Sequence, residues 1–168
     1  MKNIEHIKYT YKHRLIVLKL AEKYFEDNKE LLERVKYHDI DKLFLYLFYD
    51  KKSVSRLHRD LTSHHENDIE KTKLDYMEMI LDWESARYTK PDKPLNAYDT
   101  LVKFYPSMTD EILPILKEMK IDKPNLPMEE DILELANQID EITEEELLNE
   151  LIEYLKMISS HEEKKLIL

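Results

Sequence analysis

Three features of the sequence predict an all-α fold. None of the 168 residues is glycine, every proline lies at Pro91 or beyond, and apolar residues recur at helical spacing along most of the chain. Without glycine, hairpins closed by Asn-Gly or Asp-Gly turns vanish, and the first ninety residues hold neither standard helix breaker. The same lack excludes the P-loop and the dinucleotide fingerprint, which need glycine where backbone turns tightly or approaches a pyrophosphate. With 42% apolar residues, one sizeable core is expected.

The elements follow in order. A first helix is predicted from about Asn3 to Asp27, with Ile16, Val17, Leu20 and Tyr24 as its buried line. A second covers roughly Lys29 to Tyr49 and bends near His38, and a short third spans Ser53 to Leu61. Ser63-His64-His65-Glu66 has the S-x-x-E form of a capping box, which predicts a fresh helix start. The helix from about Lys71 to Tyr88 ends before the loop TKPDKP, and Pro94 suits the first turn of a helix reaching Tyr105. Further helices are expected from about Met108 to Lys120, Pro127 to Ile139 and Thr143 to Lys156, the last opened by the capping box Thr143-Glu144-Glu145-Glu146. Residues 1–105 hold the chemistry. Residues 106–168, rich in Leu, Ile and Glu, read as a helical extension that packs on the first part or mediates interaction, including self-association.

Charge and composition narrow the setting. A formal charge of −10 repels a phosphate backbone and lacks the basic footprint of a nucleic-acid binder. The absence of cysteine removes disulfides and thiolate metal sites, so any metal must be held by His, Asp and Glu. No apolar run approaches a membrane span, and the start MKNIEHIKYTYKHR lacks the apolar core of a signal peptide. A soluble, cytoplasmic protein is the expectation.

The histidines carry the functional signal, six of the seven falling within the first 65 residues. His13 precedes Ile16, Val17 and Leu20 by three, four and seven positions, so it shares their apolar face. His38-Asp39 follows Leu31, Leu32 and Val35, then come His58, the pair His64-His65, and Asp82 among Met79, Trp83 and Ala86. A lone buried histidine is most often a satisfied core residue, and Asp82 has an alternative partner in Arg87 or Lys42. As an ordered set, however, imidazoles and carboxylates without thiolate suit Mn, Mg, Zn, Co or Fe, and an uncompensated carboxylate on such a face costs several kcal/mol to bury.

This order resembles the HD-domain superfamily of metal-dependent phosphohydrolases, over roughly His6 to Tyr105. HDIDK is similar to the HDIGK motif of the HD-GYP branch, and HHEND with DWESARY resembles that branch's HHE motif and its Asp followed by Arg-Tyr. A closer resemblance is to an HD-like family of bacterial and phage genomes, whose pattern is an early His, HD-x-x-K, a His five residues before a His-His pair, and Asp-Trp before a small residue. Here these are His13, HDIDK with Lys42, HRDLTSHH and DWESA. Asp41 stands where the HD-GYP motif has glycine, and no GYP element follows, so hydrolysis of cyclic-di-GMP does not carry over.

The resemblance implies an HD-like helical bundle core with additional C-terminal helices, and one or two divalent cations. Asp39 would bridge, with His13, His38 and Asp82 on one ion and some of His58, His64 and His65 on the other. Asp39 and Lys42 are then the catalytic candidates, with Lys42, Arg59 and Arg87 as substrate-binding candidates for a small, nucleotide-like phosphoester. Glu66 reads as the capping-box acid. The same ligand order also resembles the diiron oxygenases of the superfamily, and a metal-stabilised helical interaction protein without activity is the third reading.

Overall fold

Helix α1 (Ile4–Tyr24) runs through the interior, with Ile7, Ile16, Val17, Leu20 and Ala21 fully buried. Its Thr10, His13 and Arg14 are buried as well, so the helix is enclosed on more than its apolar face. The computed structural model describes residues 2–90, 92 and 95–167, with side chains up to residue 161. Pro91 of the TKPDKP loop and Pro94, expected in the first turn of a helix, lie outside the described residues.

The second expected helix is two. Asn28 caps α2 (Lys29–Val35) by accepting from the Leu31 amide. Asp39 then takes the left-handed conformation, φ 54° and ψ 15°, before α3 (Ile40–Leu45) begins. A continuous helix would aim His38 and Asp39 about 100° apart, and the break lets both face the interior. A left-handed non-glycine residue costs about 1–2 kcal/mol, and Asp is among the types that tolerate it. In a chain without glycine such positions fall to other residues, here Asn3, Asp39, Lys120 and Asn125 among those described.

Asp50 caps α4 (Lys51–Leu61) on the Ser53 amide, and α4 buries Val54 and His58. Residues 62–72 form no helix, so the start read at His64 is corrected. Ser63 instead accepts from Arg34, and Glu66 is exposed. The capping box belongs to Thr72 and Asp75, which exchange hydrogen bonds at the head of α5 (Lys73–Thr89). Arg34 also grips Asp75, giving this start a tertiary anchor that Glu66 lacks.

Helix α5 buries Met77, Met79, Ile80, Leu81 and Tyr88. Asn96 caps α6 (Ala97–Phe104) on the Asp99 amide, and a 3-10 turn at Pro106–Met108 leads into α7 (Thr109–Glu118). Helices α8 (Glu130–Ile139) and α9 (Glu144–Ile167) complete the chain, α9 opening with the expected Thr143–Glu146 box. Helices α7 and α8 pack on α5, and α8 also packs on α1. Tyr154 of α9 lies beneath the Arg14 guanidinium, 4.5 Å from the ring centre.

The C-terminal helices share one core with the rest, because Ile112, Leu116, Ile132 and Leu147 are fully buried in the same cluster as Ile16 and Leu20. Among the described residues there is no strand, and no helix is long and apolar enough to cross a membrane. Leu116→Ala is expected to cost about 2–5 kcal/mol in one cooperative transition, measured by urea denaturation followed by circular dichroism and by Trp83 fluorescence. Two separated transitions would show instead that the C-terminal helices fold as an independent unit.

Candidate metal centre

Five segments bring their polar side chains to one place. His13 comes from α1, His38 and Asp39 from the break between α2 and α3, His58 from the last turn of α4, His64 and His65 from the irregular segment, and Asp82 from α5. Ligand atoms of Asp39, His58, His64 and His65 lie within 4.8 Å of one another, and so do those of His13, His38 and Asp39, and of His38, His64 and Asp82. These buried groups could hold a metal ion.

Asp39 stands at the junction. Its Oδ1 is 2.8 Å from His58 Nε2 and 3.2 Å from His64 Nε2, while Oδ2 is 3.6 Å from His13 Nε2 and 2.8 Å from the Lys42 ammonium. Burial pushes its carboxyl up, but the surrounding imidazoles of His38, His58 and His64 and the Lys42 ammonium outweigh it and hold the group well below the ordinary carboxylate range. Asp82 is likewise held low against burial by His13 and His38. Both are carboxylates.

The hydrogen bonds behind the imidazoles fix which nitrogen faces the centre. The Ser85 hydroxyl donates to the Asp82 carbonyl at 2.6 Å, so at 2.9 Å it accepts from His13 Nδ1. Glu78 Oε1 accepts from His38 Nδ1 at 2.8 Å, and burial pushes His38 toward its neutral form. With their Nδ1 atoms turned to Ser85 and Glu78, His13 and His38 bring their Nε2 atoms to 3.1 Å from each other, with Asp82 Oδ1 3.0 Å from the first. Such atoms repel unless a cation or proton lies among them. Ligands about 2.1 Å from one ion sit about 3.0 Å apart at right angles and about 3.4 Å apart in a tetrahedron, so the spacing fits.

The other side carries a second signal. Nε2 of His58 and of His65 are buried without a hydrogen-bond partner, although Asp39 Oδ1 is only 2.8 Å from the former. The two atoms are close but not aligned, as when both aim at a third point. His58 Nδ1 rests on Asp41 at 2.9 Å, and these two carboxylates raise its pKa against burial. Burial drops His65 to about 3, leaving it neutral.

Lys42 meets the centre from α3, its charge kept by Asp39 and Asp82 against burial. Arg59 is exposed, and no interaction ties its side chain to the cluster. Arg87 is placed elsewhere: it is buried on another face of α5, paired with Glu84 at 2.9 Å and bonded to the Leu126 carbonyl. The substrate-binding expectation for Arg87 is corrected, since its guanidinium already satisfies buried groups. A cavity of about 280 Å³ lies beside the cluster, on the side of Arg34, Ser63 and Glu78, and reaches His38, Asp39 and His64.

Sequence reasoning missed the groups behind the ligands: Glu78, Ser85, Arg34 and Arg14. One signal was available, since Asp75, Glu78, Asp82 and Ser85 recur at three and four residues through an otherwise apolar helix. Arg34 joins α2 to this stripe through Glu78 and Asp75. Arg14 donates to the carbonyls of Lys36 and His38 at the break.

Compared with family models, with curated proteins and with solved structures, the chain matches none.

Adding Mn, Zn or Co to chelated protein is expected to raise its melting temperature. At a hundred times Kd a ligand of the folded state stabilises by about 2.7 kcal/mol, or roughly 5–11 °C at this chain length. EDTA should reverse the rise, and Asp39→Asn, which keeps a residue tolerant of the left-handed backbone, should remove most of it. A melting curve indifferent to every divalent cation would count against the centre.

Proposed function

We propose that the chain is an HD-type, metal-dependent phosphohydrolase that holds two divalent cations across Asp39 and acts on a small, nucleotide-like phosphoester. The observation that carries this reading is the place of Asp39 at the junction of the imidazoles, its Oδ1 facing His58, His64 and His38 and its Oδ2 facing His13. His13, His38 and Asp82 would hold one ion, and His58, His64 and His65 the other. Such ions, when bound, polarise a phosphoryl oxygen and make a water acidic enough to attack near neutral pH.

The protein's own groups do the rest. Lys42, half-buried with its ammonium beside Asp39, offers a positive charge to a phosphate oxygen. The net charge of −10 disfavours long nucleic acid. The lack of cysteine is compatible with a reducing cytoplasm.

The test is a screen of nucleoside mono-, di- and triphosphates and cyclic nucleotides against Mn, Mg, Co, Zn and Fe. Hydrolysis is expected with at least one pair, lost in Asp39→Asn and lowered about 100- to 1000-fold in Lys42→Ala, the range seen when one electrostatic contact to the transition state is removed. Activity that survives in Asp39→Asn comes from a contaminant. A blank screen with retained, coloured iron would favour dioxygen chemistry, and a blank screen without stoichiometric metal would favour an interaction protein.

A further inference from the structure

Each imidazole of the centre has a second nitrogen, and the groups that hold those nitrogens are unequally shared. Ser85 holds Nδ1 of His13 only, and Asp41 holds Nδ1 of His58 only. Glu78 serves two: its Oε1 is 2.8 Å from Nδ1 of His38 and 3.3 Å from Nδ1 of His64. His38 belongs to a group with His13 and Asp39, His64 to a group with His58, His65 and Asp39, and both to a third group with Asp82; the two-ion reading assigns them to different ions.

We infer that Glu78 is a shared positioning residue, one carboxylate that orients a ligand of each ion and so couples the two halves of the centre. The inference rests on the two-ion reading and adds to it. Glu78 is itself held rigidly, for its Oε2 accepts from Arg34 Nε while the same guanidinium bonds Asp75 and the Ser63 hydroxyl. Ser63 immediately precedes His64. Arg34 thus ties the irregular segment that carries His64 to α2, which leads into the break at His38, and to α5, which carries Glu78 and Asp82. A carboxylate behind an imidazole fixes its tautomer and raises its basicity as a ligand, and losing it costs about 10–100-fold in metal affinity. A group behind two ligands of two ions imposes that loss twice.

The test reads metal binding, not activity. Stepwise Mn affinity is measured by calorimetry on the full chain, with bound Mn counted by elemental analysis after desalting. Wild type is expected to retain two ions. Ser85→Ala and Asp41→Asn each weaken one step by tenfold or more and retain one ion, whereas Glu78→Gln weakens both steps and retains neither. A merely structural role would lower the melting temperature of the chelated protein and leave the affinities of the folded protein unchanged, and that outcome overturns the inference. So does a Glu78→Gln protein that loses one ion alone. If wild type takes up no ion, the two-ion reading falls and takes this inference with it. Should Glu78→Gln not fold, Arg34→Lys keeps the charge but not the fork that aims Glu78, and the same loss at both steps, smaller in size, is required of it.

Discussion

Electron-rich atoms converge in the interior of this protein, where the carboxylates of Asp39 and Asp82 meet the Nε2 atoms of His13, His38, His58 and His64. Asp39 and Asp82 are ionised, and one ammonium, that of Lys42, is their cationic neighbour. The rings around them turn lone pairs inward, because Ser85 and Glu78 take the outer hydrogens of His13 and His38. An isolated carboxylate in such surroundings costs several kcal/mol even after relaxation. A divalent cation removes that penalty and the lone-pair repulsion together, which is why the cluster reads as a metal centre more readily than as a hydrogen-bonded core.

The backbone is arranged to serve this convergence. Asp39 takes a left-handed conformation so that two neighbouring residues face one point. The break exposes carbonyls that a continuous helix would satisfy, and Arg14 caps those of Lys36 and His38 from α1. Arg14 in turn lies on the Tyr154 ring of α9, and His161 of the same helix meets Tyr37 with ring centres 5.0 Å apart. The C-terminal helices, which carry no ligand, thus support the scaffold behind His38, and their extended burial is part of how the site is held.

Helical content was legible because it depends on local terms: no glycine, late prolines, and three-to-four spacing of apolar residues. The ligand types were legible for a related reason, since His13 and Asp82 interrupt apolar faces where a polar group needs a partner. What failed depended on tertiary partners. Ser63-x-x-Glu66 has the same local form as Thr72-x-x-Asp75, and only Arg34, from a different helix, favours the second. Arg87 looked free in sequence because Glu84 and the Leu126 carbonyl become its partners only when α5 meets the segment before α8. Glu78 was hidden by being charged on a helix, where solvent exposure is the usual fate of glutamate.

The two sides of Asp39 also differ in how firmly they are built. His13 and Asp82 project from long helices with packed apolar faces, and Ser85 sits one turn beyond Asp82 on the same helix. His64 and His65 hang on a stretch with no regular ladder, held by Arg34 on Ser63, Lys71 on the Ser63 carbonyl, and Asn67 on the carbonyls of Arg59 and Thr62. Segments with few buried apolar contacts open locally at lower free energy than packed helices. Preorganised ligands lose less entropy on binding, so the half containing His13 and Asp82 has the tighter geometry and the half containing His64 and His65 the more adaptable one. In the proposed two-ion reading Asp39, common to both, would transmit order from the first to the second, and Glu78, close to both His38 and His64, would run parallel to it. Two connections of this kind make it costly for either half to distort alone.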